Sequence, residues 1–149
     1  MDNIEKVQKA GELAQKYKKE GYHCSESIIR AVPEALGIKI SDETIKAACG
    51  FFGGGGGTGD RCGVIESTFM LISILYGRMD ANVSDQDIRD LAAELNKRFT
   101  EHFGSIYCRD IKPKEVEKYG ADFGCMRVYE EGAKLVAQLL LDADKILGK

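Results

Sequence analysis

The stretch from residue 50 to residue 77, GFFGGGGGTGDRCGVIESTFMLISILYG, decides the fold. Five consecutive glycines precede Cys62, and the residues from there to Tyr76 are apolar on almost every side. A helix without a broad polar face is typical of the protein interior. We therefore predict that residues 62–76 form a buried central helix, which Gly77 ends and which a glycine-rich loop precedes.

Helical patterns also occupy the segments on both sides of this stretch, where apolar residues recur at three- and four-residue intervals. The further predicted helices are 4–21, 24–36 with a bend at Pro33, 41–49 with Ser41 as N-cap, 84–99 with a capping box of Ser84 and Asp87, 113–120 with Pro113 in its first turn, and 125–146. No long stretch alternates apolar and polar residues as a strand does, and there is no repeat or linker. We predict one all-α domain, residues 1–149, built as a bundle of about six helices.

The composition restricts the partners of this chain. The net charge is −3, with acidic and basic residues interspersed, so no basic stripe offers a surface to nucleic acid. The apolar run 69–76 is much shorter than the ~20 residues that cross a bilayer. The first twenty residues carry charges throughout and lack the apolar core of a secretory signal. We expect a cytoplasmic protein that binds neither nucleic acid nor membrane.

Five cysteines are scattered along the chain. They are Cys24, Cys49, Cys62, Cys108 and Cys125. In a reducing cytosol, such cysteines bind metal, carry out redox chemistry or pack as small apolar groups. Cys24, Cys62 and Cys125 lie at or near predicted helix starts, where unpaired N–H groups and the helix dipole favour the thiolate. Cys108 falls in a connecting segment, and Cys49 best fits simple packing.

The spacing of the cysteines excludes several familiar sites. No C-x-x-C occurs, which excludes zinc knuckles, ferredoxin-type runs, the thioredoxin motif and covalent c-type haem. Any site that the cysteines share must therefore be assembled by the fold from distant segments, as helical bundles do.

The glycine run lacks the Lys-Ser/Thr pair of a phosphate-binding loop, so nucleotide binding is not supported. Glycine lets the backbone approach a bulky centre closely and point N–H groups at it, and N–H groups near cluster sulfurs tune the redox potential. On this hypothesis the cofactor-binding glycines are Gly55, Gly56, Gly57 and Gly59. The alternative is a flexible surface loop.

Two further residues near the cysteines could contribute chemistry. Glu66 follows Cys62 by four positions and shares its helix face. It is a candidate oxygen ligand or proton donor, an arginine partner, or a solvent-facing acid of the first turn. His23 adjoins Cys24 and is a candidate ligand or proton shuttle. His102 fits a surface or capping position better.

Four segments, in order, resemble the C_GCAxxG_C_C family of redox-active proteins. They are YHCSESIIRAVPEALGI, GFFGGGGGTGDRCGVIESTFMLISILYG, FGSIYCRDI and FGCMRVYEEGAKLVAQLL. The resemblance covers nearly the whole chain and implies a helical protein with metal or thiol redox chemistry. It assigns the family's cysteines to Cys24, Cys62, Cys108 and Cys125 and leaves Cys49 as an extra. The chain departs from the family motif with Val64 in the alanine place and Ser67 in the glycine place.

These observations lead to three hypotheses. The first is a redox protein, an oxidoreductase or electron-transfer protein, in which the family's four cysteines bind a metal centre. An iron–sulfur cluster is favoured there and zinc is the alternative. The second is a metal-free thiol–disulfide oxidoreductase with Cys62 as the attacking thiol, whose pKa should then be lowered. The third is a helical interaction module whose cysteines only pack. The electron-transfer partner is not specified by the sequence, and a homodimer is compatible with it.

Overall fold

The computed structural model describes residues 1–149 and contains nine α-helical segments, one 3-10 helix and no strand. The α-helices are α1 (Asn3–Lys19), α2 (Cys24–Leu36), α3 (Asp42–Ala47), α4 (Phe52–Gly55), α5 (Gly63–Tyr76), α6 (Gln86–Phe103), α7 (Cys108–Tyr119), α8 (Met126–Leu141) and α9 (Ala143–Ile146). The 3-10 helix, Ala48–Phe51, lies between α3 and α4. The predicted all-α fold is confirmed. The number of helices exceeds the expected six because short turns such as α4 and α9 form separate segments; six helices have twelve or more residues.

Three helices, α1, α2 and α8, pack against one another, and α5 packs onto α2 and α6. Helix α1 approaches α8 closely because its buried residues, Ala10, Gly11 and Ala14, are all small. One cluster of 24 buried residues runs through this arrangement and takes members from all six long helices. Burial of this apolar surface is the main force that holds the helices together.

Helix α5 is mostly buried as far as Ile72 and exposed from Ser73 to Leu75. Val64, Ile65, Leu71 and Ile72 are almost fully buried, whereas Ile74 is 46 % exposed. The prediction of a helix buried on all sides is therefore wrong for its C-terminal end. The buried hydroxyl groups of Ser67 and Thr68 donate to carbonyl oxygens of this helix, and these hydrogen bonds offset the cost of burying them.

Several predicted boundaries shift in the structure. Ser41 caps α3 as predicted, because its hydroxyl accepts the N–H of Thr44. The capping box at Ser84 does not form; Asp85 is the N-cap of α6, and the Ser84 hydroxyl accepts the N–H of Gln86. Helix α7 begins at Cys108 rather than near Pro113, which lies inside the helix. The predicted final helix is divided at Asp142 into α8 and α9.

The glycine segment is more ordered than the loop we expected. Residues 53–57 and Gly59 all have a positive φ between 59° and 87°, which side chains other than glycine rarely adopt. Gly54 also permits close contact within the segment, since a Cβ atom there would lie 2.6 Å from the backbone nitrogen of Asp60. Gly53 and Gly54 therefore interrupt the short turn α4 with non-helical dihedral angles, and the segment folds back on itself.

Backbone hydrogen bonds join this segment to the start of α7. The N–H of Cys108 donates to Asp60 O (2.8 Å), the N–H of Arg109 to Gly59 O (3.0 Å), and the N–H of Cys62 to Ile106 O (2.8 Å). Two cysteines that are far apart in the sequence are thus held beside each other. No helix is both long and apolar enough to cross a membrane.

Candidate functional site

Four of the five cysteines border one cavity of about 320 Å³. They are Cys24, Cys62, Cys108 and Cys125, and none of them is disulfide-bonded. A wider, shallow depression between α1, α6 and α8 contains no cysteine. Its basic side chains pair with acids close by, as Arg98 does with Asp142 and Lys134 with Glu130. The cysteine cavity is therefore the candidate site.

Each of the four cysteines lies at the N-terminus of a different helix. Cys24 and Cys108 are the first residues of α2 and α7, and Cys62 and Cys125 are the N-caps of α5 and α8. The predicted positions of Cys24, Cys62 and Cys125 agree with this, whereas Cys108 lies on a helix and not in a connecting segment. The positive dipole ends of four helices therefore surround the sulfur atoms, and they stabilise negative charge there.

The sulfur of Cys24 lies against bare backbone. N–H groups of Ser25, Gly53 and Gly63 donate to it. Gly63 must be glycine for this approach, because a Cβ atom there would overlap the sulfur and would lie 3.0 Å from the carbonyl oxygen of Phe51. The sulfur of Cys62, the N-cap of α5, also receives a backbone donor, because the N–H of Val64 donates to it.

Burial opposes these favourable interactions. Removal of the thiols from water is the largest influence on their pKa values and raises the pKa of all four. The pKa of Cys125 rises to about 11. The pKa of Cys62, the most buried of the four, lies well above its ordinary value. Negative charge on the neighbouring sulfurs raises it further. Without a bound cation, the four thiols are therefore neutral at pH 7.

The four thiols share the cavity without converging on a point. No group of three or more His, Cys, Asp or Glu side chains is close enough together to hold a single metal ion. A tetrahedral zinc site needs four sulfurs at about 2.3 Å from one ion, which this arrangement does not provide. A polynuclear cluster sits differently, because its cysteines bind different irons and stay further apart.

Among the other residues that border the cavity, three with polar side chains were missed by the sequence analysis, namely Lys18, Lys112 and Tyr129. Two of them had a readable signal, because Lys112 follows Cys108 by four residues and Tyr129 follows Cys125 by four. Residues four apart share a helix face, so each points the same way as its cysteine. Lys18 had no such signal, since it lies at the end of α1.

The predicted glycine donors are placed elsewhere. Gly55, Gly56, Gly57 and Gly59 do not border the cavity. The N–H groups of Gly56 and Gly57 donate to Phe52 O, and that of Gly59 donates to the carbonyl oxygen of a residue in its own segment. Because these N–H groups hold the glycine fold together, other glycines provide the donors to sulfur.

Glu66, His23 and Cys49 take separate positions. The Glu66 carboxylate accepts a hydrogen bond from Arg61 (Nε–Oε1 2.7 Å) and does not border the cavity. Of the roles considered for Glu66, the structure therefore matches that of an arginine partner. His23 borders the cavity and its ring lies against Phe52. Cys49, expected to pack in the core, is exposed, and its thiol donates to Glu26 Oε2 (3.4 Å).

A sequence model described as "Putative redox-active protein (C_GCAxxG_C_C)" matches residues 22–139, which is 118 of the 149 residues. The chain belongs to the C_GCAxxG_C_C family. An uncharacterized protein of Archaeoglobus fulgidus is 23 % identical to it over 148 aligned positions, which cover 93 % of this chain and 98 % of the relative. No solved structure shows significant similarity to the chain.

Both departures from the C_GCAxxG_C_C motif are accommodated by the packing of α5. Val64, in the alanine place, is fully buried against Gly132 of α8, where a Cβ atom would lie 3.0 Å from Val64 Cγ1. The absent side chain on α8 leaves the room that valine needs. Ser67, in the glycine place, is also buried, and its hydroxyl donates to Gly63 O (3.0 Å).

Proposed function

We propose that this member of the C_GCAxxG_C_C family is a redox-active protein that binds an iron–sulfur cluster through Cys24, Cys62, Cys108 and Cys125. The family description supports redox chemistry. When bound, the cluster would supply one-electron transfer at a potential that its surroundings set.

The observation that carries the proposal is that four thiols from four helix N-termini border one cavity. Simple packing does not require this arrangement, since buried cysteines can fill a core anywhere along a helix. No aspartate or glutamate borders the cavity, so the available ligands are four soft sulfur donors and the His23 imidazole, and a thiolate-rich set suits iron–sulfur clusters.

The protein's own groups would prepare the thiols for such a ligand. N–H groups that donate to Cys24 and Cys62 stabilise thiolates and would lower the electron density of cluster sulfurs. Burial raises the pKa of the free thiols, so cluster binding must displace protons and the bound cations must stabilise the negative charge. The same raised pKa at Cys62 argues against the metal-free alternative, in which this thiol attacks as a thiolate at neutral pH.

Zinc is the less favoured metal because the thiols do not converge on one point. A cluster occupies more of a cavity of about 320 Å³ and takes one thiolate on each of several irons. Zinc binding is therefore one outcome of the test below, and we do not propose it as a second function.

The test is purification of the full chain without oxygen, followed by analysis of iron, acid-labile sulfide and zinc. We expect brown protein with iron and sulfide in equal amounts, and visible absorption that dithionite bleaches. Cys24→Ser and Cys62→Ser should lose most of the iron. Cys49→Ser is the matched control and should keep it, because Cys49 is exposed and lies outside the cavity.

Two outcomes would overturn the proposal. Colourless protein with one zinc per chain would indicate a structural zinc site. Protein that binds neither metal after anaerobic reconstitution with iron and sulfide, while circular dichroism shows it folded, would indicate that the thiols act without metal.

A further inference from the structure

The cavity that holds the four thiols has a positively charged lining. Lys18 and Lys112 both border it, and no carboxylate does. The lysines that pair with carboxylates in this protein are others, namely Lys16, Lys134 and Lys149. Two lysines therefore border the cavity with no carboxylate in its lining to pair with, and they add to the positive ends of four helix dipoles.

The Tyr129 hydroxyl is a third group in the cavity that can donate a hydrogen bond. Tyr129 is 8 % exposed and borders the cavity, yet its hydroxyl has no hydrogen-bond partner in the protein. The ammonium group of Lys18 lies 5.5 Å from the centre of its ring. Burial is the largest cause that raises the pKa of the phenol, and the neighbouring Cys24, Cys125 and Cys62 raise it further, so the phenol stays protonated. The hydroxyl oxygen itself is not fully buried, so it can reach a ligand in the cavity and donate to it.

Two acidic residues that act on groups in the cavity, Glu115 and Glu26, do not line it. Glu115, close to Cys125, is paired with Arg127. Glu26 accepts hydrogen bonds from the His23 backbone and from Cys49, and it does not border the cavity.

We propose that Lys18, Lys112 and Tyr129 form an anion-binding mouth at the four-cysteine cavity, so that its substrate is a small molecule with a carboxylate or oxyanion group. The two ammonium groups attract and hold the negative charge, and the phenol donates a hydrogen bond to it. This inference rests on the proposed function only in that the cavity is the reactive centre, and it names the substrate class of that centre.

The test compares two alkylating reagents of similar size, iodoacetate with one negative charge and iodoacetamide with none. The fully reduced, metal-free chain is alkylated at pH 8, and mass spectrometry measures the rate at each cysteine. For each cysteine, the iodoacetate rate is divided by the iodoacetamide rate. This ratio in the folded protein is then divided by the same ratio in urea, which removes the intrinsic difference between the reagents. We expect the normalised ratio at Cys108 and Cys125 to be about fivefold above unity, which is what one unit charge at ~4 Å in water produces.

The chain supplies its own control. Cys49 is exposed beside a carboxylate, so its normalised ratio should lie at or below unity. Lys18→Gln and Lys112→Gln should each lower the ratio at the cavity cysteines about twofold, and added salt should lower it too. Lys18→Arg and Lys112→Arg keep the charge and should keep the ratio. Tyr129→Phe should lower it without changing its dependence on salt.

Equal ratios at the cavity cysteines and at Cys49, or ratios that neither Lys→Gln variant changes, would overturn the inference. Lysine and arginine variants at two separate sites guard against misfolding of any one of them, and circular dichroism checks each. Because the experiment uses metal-free protein, its failure is distinct from failure to bind iron. Iron analysis tests the proposed function alone.

Discussion

Replacement of Gly63 by alanine tests whether the sulfur of Cys24 must lie against the start of α5. The new methyl group would overlap the Cys24 sulfur and would approach Phe51 O at 3.0 Å and Ser25 N at 3.1 Å. Two of these three neighbours are backbone atoms, and the third is a short side chain held by three N–H groups. None of them can move aside as the end of a long side chain can, so the helix start or Cys24 must shift.

The expected magnitude is a balance of two effects. Overpacking of a tight site costs about 1–3 kcal/mol, whereas alanine is better than glycine in a helix by at most ~1 kcal/mol. The net loss in the free energy of unfolding is about 1.5 kcal/mol. For a chain of this length, that corresponds to a fall in Tm of about 3–6 °C.

The assay is urea unfolding of the metal-free, reduced protein, followed by circular dichroism at constant pH. Gly11→Ala is the matched control, because Gly11 is also a buried helical glycine, but its new methyl group would meet the flexible side chain of Lys134. The end of that side chain can move, but its Cγ atom, 3.0 Å from the new Cβ, can move less, so the control should lose some stability but less than Gly63→Ala. The displaced sulfur in Gly63→Ala should also reduce iron binding, whereas Gly11→Ala should bind iron as the parent protein does.

If Gly63→Ala is as stable as the parent protein and binds the same amount of iron, the close approach is not needed and the reasoning is refuted. An equal loss of stability in Gly11→Ala would refute it as well, because the cost would then not be specific to the cysteine site.

Two further predictions concern buried ionisable groups. Burial raises the pKa of the Cys125 thiol to about 11 from its ordinary 9.0, so the unfolded chain loses its proton first. The free energy of unfolding of the metal-free protein should therefore fall between about pH 9 and 11, and less so in Cys125→Ser; urea titrations that give no difference would contradict this. Glu115 is 5 % exposed and pairs with Arg127, so Arg127→Met should lower the free energy of unfolding by about 2 kcal/mol. Glu115→Gln in the same chain should restore part of that loss in thermal unfolding, and no recovery would mean that the packing of Arg127 matters more than its charge.

Much of the fold could be predicted from local patterns. The apolar periodicity of residues 88–99 and the glycine at the end of α2 mark helices whose existence depends on nearby residues alone. The exact ends were harder, as at Ser84, because several polar residues in a row can cap the same helix. The start of α7 was missed, since Cys108 and Arg109 are held by backbone hydrogen bonds to Asp60 and Gly59, which no local pattern reports.

For the same reason, the sequence did not reveal which glycine N–H groups donate to sulfur. A run of glycines predicts free N–H groups, but whether each one points at sulfur or at a neighbouring carbonyl depends on how the segment closes. Gly56 and Gly57 donate within the segment, whereas Gly53 reaches Cys24. Glu66 was ambiguous for a similar reason, because only the folded chain places Arg61 beside it.

The sequence by itself determined that this chain is helical, that it belongs with a cysteine-bearing family, and that thiols stand at helix starts. These properties follow from periodicity, capping and motif order, which are encoded over a few residues at a time. Only the tertiary structure decided that Cys24, Cys62, Cys108 and Cys125 border one cavity, and that two lysines and a tyrosine lie there with them. The reason is physical. Contact between residues far apart in the chain depends on how the helices pack and on the bare backbone at Gly63, and no single segment contains that information.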